Sequence, residues 1–526
     1  MKLFLAFLLL FSFQNSEASS PFANLDSIKS SLGFTKFYSQ TRTGRPLKVA
    51  ILDKGFHGYQ KELGRTLPAI TRYVAGPVSS PENMQVEHGL KMAQILISLM
   101  TDDMRQAQWM PELTLYNVFG YSNFKAAIDD IIARQVDLVL YSEVWEYGGN
   151  FNGAGFLNAE VSRATRHGVI WVNAAGNFAL TTFNAGLKTV TDNWVQLPDQ
   201  NNSLAIRCDG KQVKKCSAKI VLSWNDFKED VEQGTNKDLD LALTDDLLNI
   251  IQSSGLKQST DRNETRPGFS KYPREIITAE LNPGLYYIRV KNRSQNFTAS
   301  DSLRITVDGD GIVMPSHSWG ETLLNPADNP TVITVGASDS IRSSSSQFLN
   351  KPDLLTVSSI VLKNKMEFRG SSNSAAIVGA GLSLLKAQNP GLTRDQLLKM
   401  VSFGSSWESK GISLNLLGFQ PTGPGCFDSI QYNPVPAFLQ EVVNKGGVIV
   451  RTTAGARVMV PFDPIVLAPH LRRQLLNDMI VALPQGGYAI YPRRSPIPAG
   501  SAEVFQRPLE AGLCRPLPST GKMFRL

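Results

Sequence analysis

The sequence predicts an α/β protein: a parallel sheet covered by helices on both faces, interrupted by an all-β segment and followed by a β-rich C-terminal stretch. Three observations carry this. Short strands that are apolar throughout alternate with helical stretches between Leu47 and Asn177, and the same style returns at Val332; strands buried on both faces have this pattern. From about Leu187 to Asp308 the texture changes to period-two strands separated by turn residues, as in sheets with one wet face. The stretch Ala375–Leu385 is apolar nearly all round and rich in Ala and Gly, so a helix there belongs in the middle of a large domain.

Composition supports a multidomain globular chain. With 526 residues, 42% hydrophobic and 19% charged, there is apolar material for several cores, which excludes disordered, collagen-like and coiled-coil classes. The net charge of +7 is mild at this length, and no long Lys/Arg run occurs, so nucleic acid is not an expected partner.

The elements follow in order. Met1-Lys2, the apolar run Leu3–Phe13 and small residues at Ser16 and Ala18 match a secretory leader cleaved after Ala18. The run is short of the ~20 residues that span a bilayer, and no later segment is long and apolar enough to do so. The expected location is therefore periplasmic, cell-surface or extracellular, with no transmembrane segment and a monomeric state. Strands are expected at Leu47–Leu52, Leu113–Val118, Leu138–Tyr141, Val169–Val172 and Val332–Val335, with helices at Gly89–Met100, Phe124–Arg134 and Ala154–Arg166. The all-β segment supplies strands at Ile220–Trp224, Asp238–Leu243, Leu285–Lys291 and Leu303–Val307, and the tail at Val448–Thr452 and Arg457–Val460. An inserted β-sandwich is the simplest account of the middle segment.

Four cysteines fit an oxidising compartment. Cys208 and Cys216 lie at hairpin spacing, while Cys426 and Cys514 bracket the C-terminal segment. Of the three pairings, local closure favours Cys208–Cys216 with Cys426–Cys514. Zinc spacing is lacking.

Four polar positions sit where chemistry collects. Asp53 ends an apolar strand, at the carboxyl edge where ligands gather in parallel sheets. His88 opens a helical stretch, Asn177 closes Ala174-Ala175-Gly176-Asn177, and Ser372 begins the buried helix in Arg369-Gly370-Ser371-Ser372-Asn373-Ser374-Ala375. Alone, each has a bland alternative: a cap, a surface histidine, an N-cap serine.

Their order is distinctive. Val49-Ala50-Ile51-Leu52-Asp53-Lys54-Gly55, His88-Gly89 with Ala93, Asn173-Ala174-Ala175-Gly176-Asn177, and Gly370-Ser371-Ser372 with Ser374-Ala375 resemble, in sequence, the four boxes of the subtilisin-like serine proteases. Val335-Gly336-Ala337-Ser338-Asp339 and Lys351-Pro352-Asp353 resemble accessory segments of that family. The resemblance spans roughly 40–180 and 315–430. It implies a three-layer catalytic domain and an Asp53–His88–Ser372 triad acting on protein or peptide substrates, with no cofactor needed for catalysis. It also implies Asn177 as oxyanion donor, and Ser142, Gly148 and Gly149 as substrate-binding positions. In such a triad His88 takes the Ser372 proton and Asp53 orients the imidazole.

The implied organisation is a leader at 1–18, catalytic parts at 19–185 and 311–428, an inserted β-sandwich at 186–310 and a β-rich segment at 429–526. The insert resembles β-sandwich modules carried by secreted bacterial peptidases. Its Asp238 and Asp240 are candidate Ca2+ ligands, since that ion takes six to eight oxygens. The chain departs from the family pattern at Lys91, Gln94, Asn373 and Glu143-Val144-Trp145. These departures keep open a second reading, a catalytically inactive relative that binds or adheres. A serine esterase would need a Gly-x-Ser-x-Gly elbow and the order Ser…Asp…His, which this chain lacks.

Overall fold

The computed structural model describes residues 20–38, 45–79, 85–101, 110–210 and 214–401, and the backbone of seven short strands beyond. The expected leader at 1–18 and the cysteines Cys426 and Cys514 lie outside these residues.

The largest sheet has eight strands, and every pairing in it is parallel. In spatial order they are Thr71–Val74, Glu112–Asn117, Lys48–Asp53, Leu138–Tyr141, Ile170–Ala174, Ile333–Ala337, Leu354–Thr356 and Ile412–Ser413. Alternate residues of each strand face opposite sides, and the core divides accordingly. Val49 and Ile51, Leu113 and Leu115, Leu138 and Leu140, Ile170 and Val172 point to one side, with helices Leu25–Leu32, His88–Met100 and Ser371–Gln388. Ala50 and Leu52, Tyr116, Val139 and Tyr141, and Trp171 point to the other, with helices Gly120–Ala133 and Phe156–Arg166. Two helical layers thus enclose one sheet, as the uninterrupted apolar strands predict.

Two features place the site. First, strand order reverses around Lys48–Asp53: the chain adds strands on one side of it, then continues on the other from Leu138. Ligands collect at such a reversal, beyond the carboxyl ends. Second, the Ser371–Gln388 helix is buried except at Ser372 and Gln388. It needs no amphipathic stripe because it runs through the middle of the domain. Its small residues set the packing distance: a Cβ on Gly379 would already touch Leu96 at 3.5 Å and Leu140 at 3.7 Å.

Between these blocks lie two antiparallel sheets. One has five strands, Ile250–Ser254, Leu239–Thr244, Gly284–Asn292, Leu204–Cys208 and Ile312–Val313; the other has four, Arg274–Leu281, Cys216–Trp224, Ser302–Asp308 and Thr182–Gly186. Ile206, Leu241, Leu243 and Val290 of the first sheet share one buried cluster with Ile220, Leu222, Trp224 and Ile305 of the second. The Cys208–Cys216 disulfide, with Cα atoms 5.7 Å apart, joins the two sheets at one end. The paired elements run from Thr182 to Val313, slightly beyond the expected 186–310.

Further on, Arg457–Val460, Val448–Thr452, Ile430–Tyr432, Tyr488–Pro492, Asp478–Ala482 and Ala502–Val504 form a mixed six-stranded sheet. Among the described residues, no helix is long and apolar enough to cross a membrane.

Candidate active site

Asp53 is the last residue of its strand and fully buried. Its Oδ2 lies 2.7 Å from His88 Nδ1, and its Oδ1 accepts the Gly55 N–H at 3.4 Å. An ionised carboxylate only accepts, so the imidazole proton belongs on Nδ1 and the Nε2 lone pair is left free.

His88 reaches Asp53 because its helix starts tight against the strand end. A Cβ on Gly89 would fall 2.5 Å from Asp53 Cβ and 2.6 Å from the Phe56 ring. Backbone bonds fix the approach: Gly89 N–H donates to Gly55 O at 2.9 Å, and His57 N–H to Val86 O at 2.9 Å. The glycine after the histidine is therefore a steric requirement of this contact.

Ser372 arrives from a third element. Leu52 pairs with Tyr141 in the sheet, so the next residues, Asp53 and Ser142, leave adjacent strand ends side by side. The Ser372 hydroxyl donates to the Ser142 carbonyl at 3.0 Å, which puts it at that edge. Ser371, beside it, is buried; its Oγ accepts the Gly176 N–H at 3.0 Å and its own N–H donates to Asn177 Oδ1 at 3.0 Å. A Cβ on Gly370 would sit 3.1 Å from Asn177 Nδ2. With Oδ1 engaged, the exposed Asn177 side chain presents its NH2 as the remaining donor. Asn373 and Ser374 N–H groups turn back to Gly370 O, whereas Ser372 N–H has no acceptor among the described residues. A helix N-terminus with a free N–H favours negative charge.

The structure thus joins Asp53 to His88, Ser372 to Ser142, and Asn177 to the start of the Ser372 helix. It does not link Ser372 to His88: the hydroxyl hydrogen is on Ser142, so it has to rotate about Cβ–Oγ to reach an acceptor elsewhere. Of the other expected positions, Ser142 is buried, with its own Oγ unpartnered. Gly148 and Gly149 are also buried, packed so closely that a Cβ would lie 2.7 Å from Leu157 and 2.1 Å from Asn325 Oδ1 respectively.

Two charged groups at this edge have no role assigned from the sequence. Glu143 follows Ser142 directly, and Lys54 follows Asp53; Lys54 Nζ and Glu143 Oε2 are 3.0 Å apart. Ligand-type atoms of Asp53, His88 and Glu143 all fall within 4.8 Å of one another. With the Asp53 carboxylate on the imidazole and the Lys54 ammonium on Glu143, the group is built as an acid–base cluster. Burial and the Asp53 charge push the Glu143 carboxyl well above the usual carboxylate range. Burial works to lower the His88 pKa, but Asp53, by charge and hydrogen bond, together with Glu143, raises it above the ordinary 6.5.

The candidate Ca2+ ligands lie apart, in the middle segment. Asp240 is paired with Arg293, and Asp238 has one buried, unpartnered oxygen. Burial and the neighbouring Asp240 raise Asp238 to about 6. Among the described residues, no third carboxylate or histidine joins them in a metal-sized group.

No family model matches the sequence, and no curated protein matches it. The structure is similar to that of the CspB protease of Clostridium perfringens, at 15% sequence identity and a TM-score of 0.41, over 74% of this chain and 97% of that one. A likeness at that level carries no argument about this site.

Proposed function

We propose that the chain is an exported serine endopeptidase using Asp53, His88 and Ser372, with Asn177 and the Ser372 N–H as oxyanion donors. One observation carries the reading: Asp53 holds His88 Nδ1 at 2.7 Å on the sheet edge where Ser372 projects from an otherwise buried helix. In the proposed reaction Ser372 Oγ attacks the peptide carbonyl and His88 Nε2 takes its proton. The developing imidazolium is stabilised by Asp53, and the oxyanion by Asn177 Nδ2 and the Ser372 N–H. The tetrahedral intermediate then expels the amine, protonated by His88, and leaves an acyl-enzyme that water hydrolyses.

Supporting features extend the reading. The two antiparallel sheets with a shared core are consistent with an inserted sandwich, and the Cys208–Cys216 disulfide with an oxidising compartment. In this reading the leader directs export, substrates are proteins or peptides, and Ca2+ at Asp238 and Asp240 is at most structural.

A second reading, a non-catalytic binding or adhesion protein, is favoured by the Ser372 hydroxyl being committed to Ser142 O. Hydrolysis of an unfolded protein substrate by the chain and by Ser372→Ala separates the two. Cleavage that disappears in S372A supports catalysis; no cleavage by either supports the binding reading.

A further inference from the structure

Glu143 is not part of the triad, yet its carboxylate faces both acid–base members of it. It enters the edge from the strand end next to that of Asp53, and the atoms of Asp53, His88 and Glu143 able to carry a proton or charge fall within 4.8 Å of one another. The side chain is largely buried, at 13% exposure, and is anchored by Lys54 at 3.0 Å. Its backbone is also held, because Asn173 Nδ2 donates to Glu143 O at 3.2 Å. Two carboxylates this close repel each other unless a cation lies with them. Here there are two such cations, the Lys54 ammonium and, when protonated, the His88 imidazolium.

We propose that Glu143 is a positioning residue for His88: a second carboxylate, locked by Lys54, whose charge stabilises the imidazolium and sets the acid limit of the site. The inference rests on the proposed catalytic role of His88. Its sign is defined. While Glu143 is ionised, its negative charge beside the ring favours the protonated form, so His88 gives up its proton only at higher pH and accepts the serine proton more readily in the transition state. Because the Glu143 carboxyl is itself raised to about 7, the two groups titrate together. The raised His88 pKa agrees, since Glu143 contributes to it after Asp53.

The other charges around the cluster do not supply this effect. Lys54 opposes it. Glu146 is committed to Lys219 at 2.7 Å, and Asp308, on a strand of the four-stranded sheet, lies in the field of that same pair. Tyr141 is buried, and burial holds its phenol neutral. On the histidine helix, Lys91 is paired with Glu87 at 3.7 Å. The first turn of the serine helix carries only Ser and Asn side chains.

Glu143→Gln keeps the shape and an acceptor for Lys54 but removes the charge. The test follows the His88 ring by nitrogen NMR across pH, in the full chain and in E143Q, with His88→Gln identifying the signal among five histidines. In parallel, the rate of fluorophosphonate labelling is measured against pH. The expected result is a His88 midpoint about one unit lower in E143Q. The acid limb of labelling should move down with it, and the plateau rate should fall several-fold. A purely structural Glu143 would change the melting temperature and leave both midpoints in place, and that overturns the proposal. If E143Q does not fold, Glu143→Asp retracts the charge by one methylene, and a smaller shift of the same sign is required. Failure of the catalytic reading looks different: no labelling at any pH in the unaltered chain, whatever His88 titration shows.

Discussion

Asn177 and Ser371 are tied across 194 positions of sequence by one hydrogen bond, the Ser371 N–H donating to the Asn177 side-chain oxygen at 3.0 Å. The bond fixes which end of the amide is free. With the oxygen bound to the helix start, the NH2 remains as the side chain's donor, beside Gly370 at that same helix start. The middle segment, which separates the two residues in sequence, leaves that contact intact.

Asn177→Ala should therefore lower kcat by ~10²–10³-fold, with KM little changed, because in the proposed reaction the lost donor acts on the oxyanion and not on the resting substrate. Loss of the tie to Ser371 should also cost about 1 kcal/mol of stability. Steady-state peptide hydrolysis and thermal melting check the two effects separately.

Gly89→Ala tests the steric argument at the histidine. The added methyl meets Asp53 Cβ at 2.5 Å and Gly55 O at 2.8 Å, both close to the backbone and unable to swing away. A destabilisation of roughly 1–3 kcal/mol is expected, with loss of the His88–Asp53 contact and of most activity. Near-wild-type melting and turnover in G89A would show that the approach is looser than described.

The raised His88 pKa fixes two opposite pH dependences. The proposed reaction needs neutral His88, so the acid limb of kcat/KM should have its midpoint above pH 6.5. Stability runs the other way. Binding a proton more tightly when folded, His88 adds stability that is fully present below its unfolded pKa near 6.5 and is lost as pH rises through the folded value. Rate profiles and urea unfolding between pH 5 and 8 measure both limbs.

Reduction of Cys208–Cys216, or replacement of both by Ser, should loosen the junction of the two antiparallel sheets. For so short a loop the chain-entropy model gives about 2.5 kcal/mol. The site lies on another sheet, so labelling of Ser372 should persist while the thermal midpoint falls.

Much of this was legible in the sequence because burial on both faces writes itself as unbroken apolar strands. Lys48–Asp53, Leu138–Tyr141 and Ile333–Ala337 fall within a residue or two of expectation, and the buried Ser371–Gln388 helix was visible from its all-round apolar character. Thr71–Val74 was not, because an edge strand with no buried residue carries no hydrophobic signal. Arg274–Leu281 was hidden because a carboxylate, Glu275, takes an inward position on the same face as Ile277 and Leu281. At the site, residue types and order pointed to Asp53, His88, Asn177 and Ser372. Glu143 showed only as a departure from the family pattern, a carboxylate directly after an apolar strand and a serine. Its partnership with Lys54 depends on two strand ends being neighbours, which spacing alone does not reveal. Nor does spacing show that Gly148 and Gly149 pack beneath Leu157 and Asn325.

The central claim, that Ser372 is a nucleophile served by His88 and Asp53, is tested most directly by mapping a fluorophosphonate adduct by peptide mass spectrometry. The account predicts a single adduct on Ser372, slowed by several orders of magnitude in His88→Ala and in Asp53→Asn, with the double variant little worse than either, because the three act as a unit. An unmodified Ser372 under conditions that label a known serine hydrolase, or an adduct that forms as fast without His88, would contradict it.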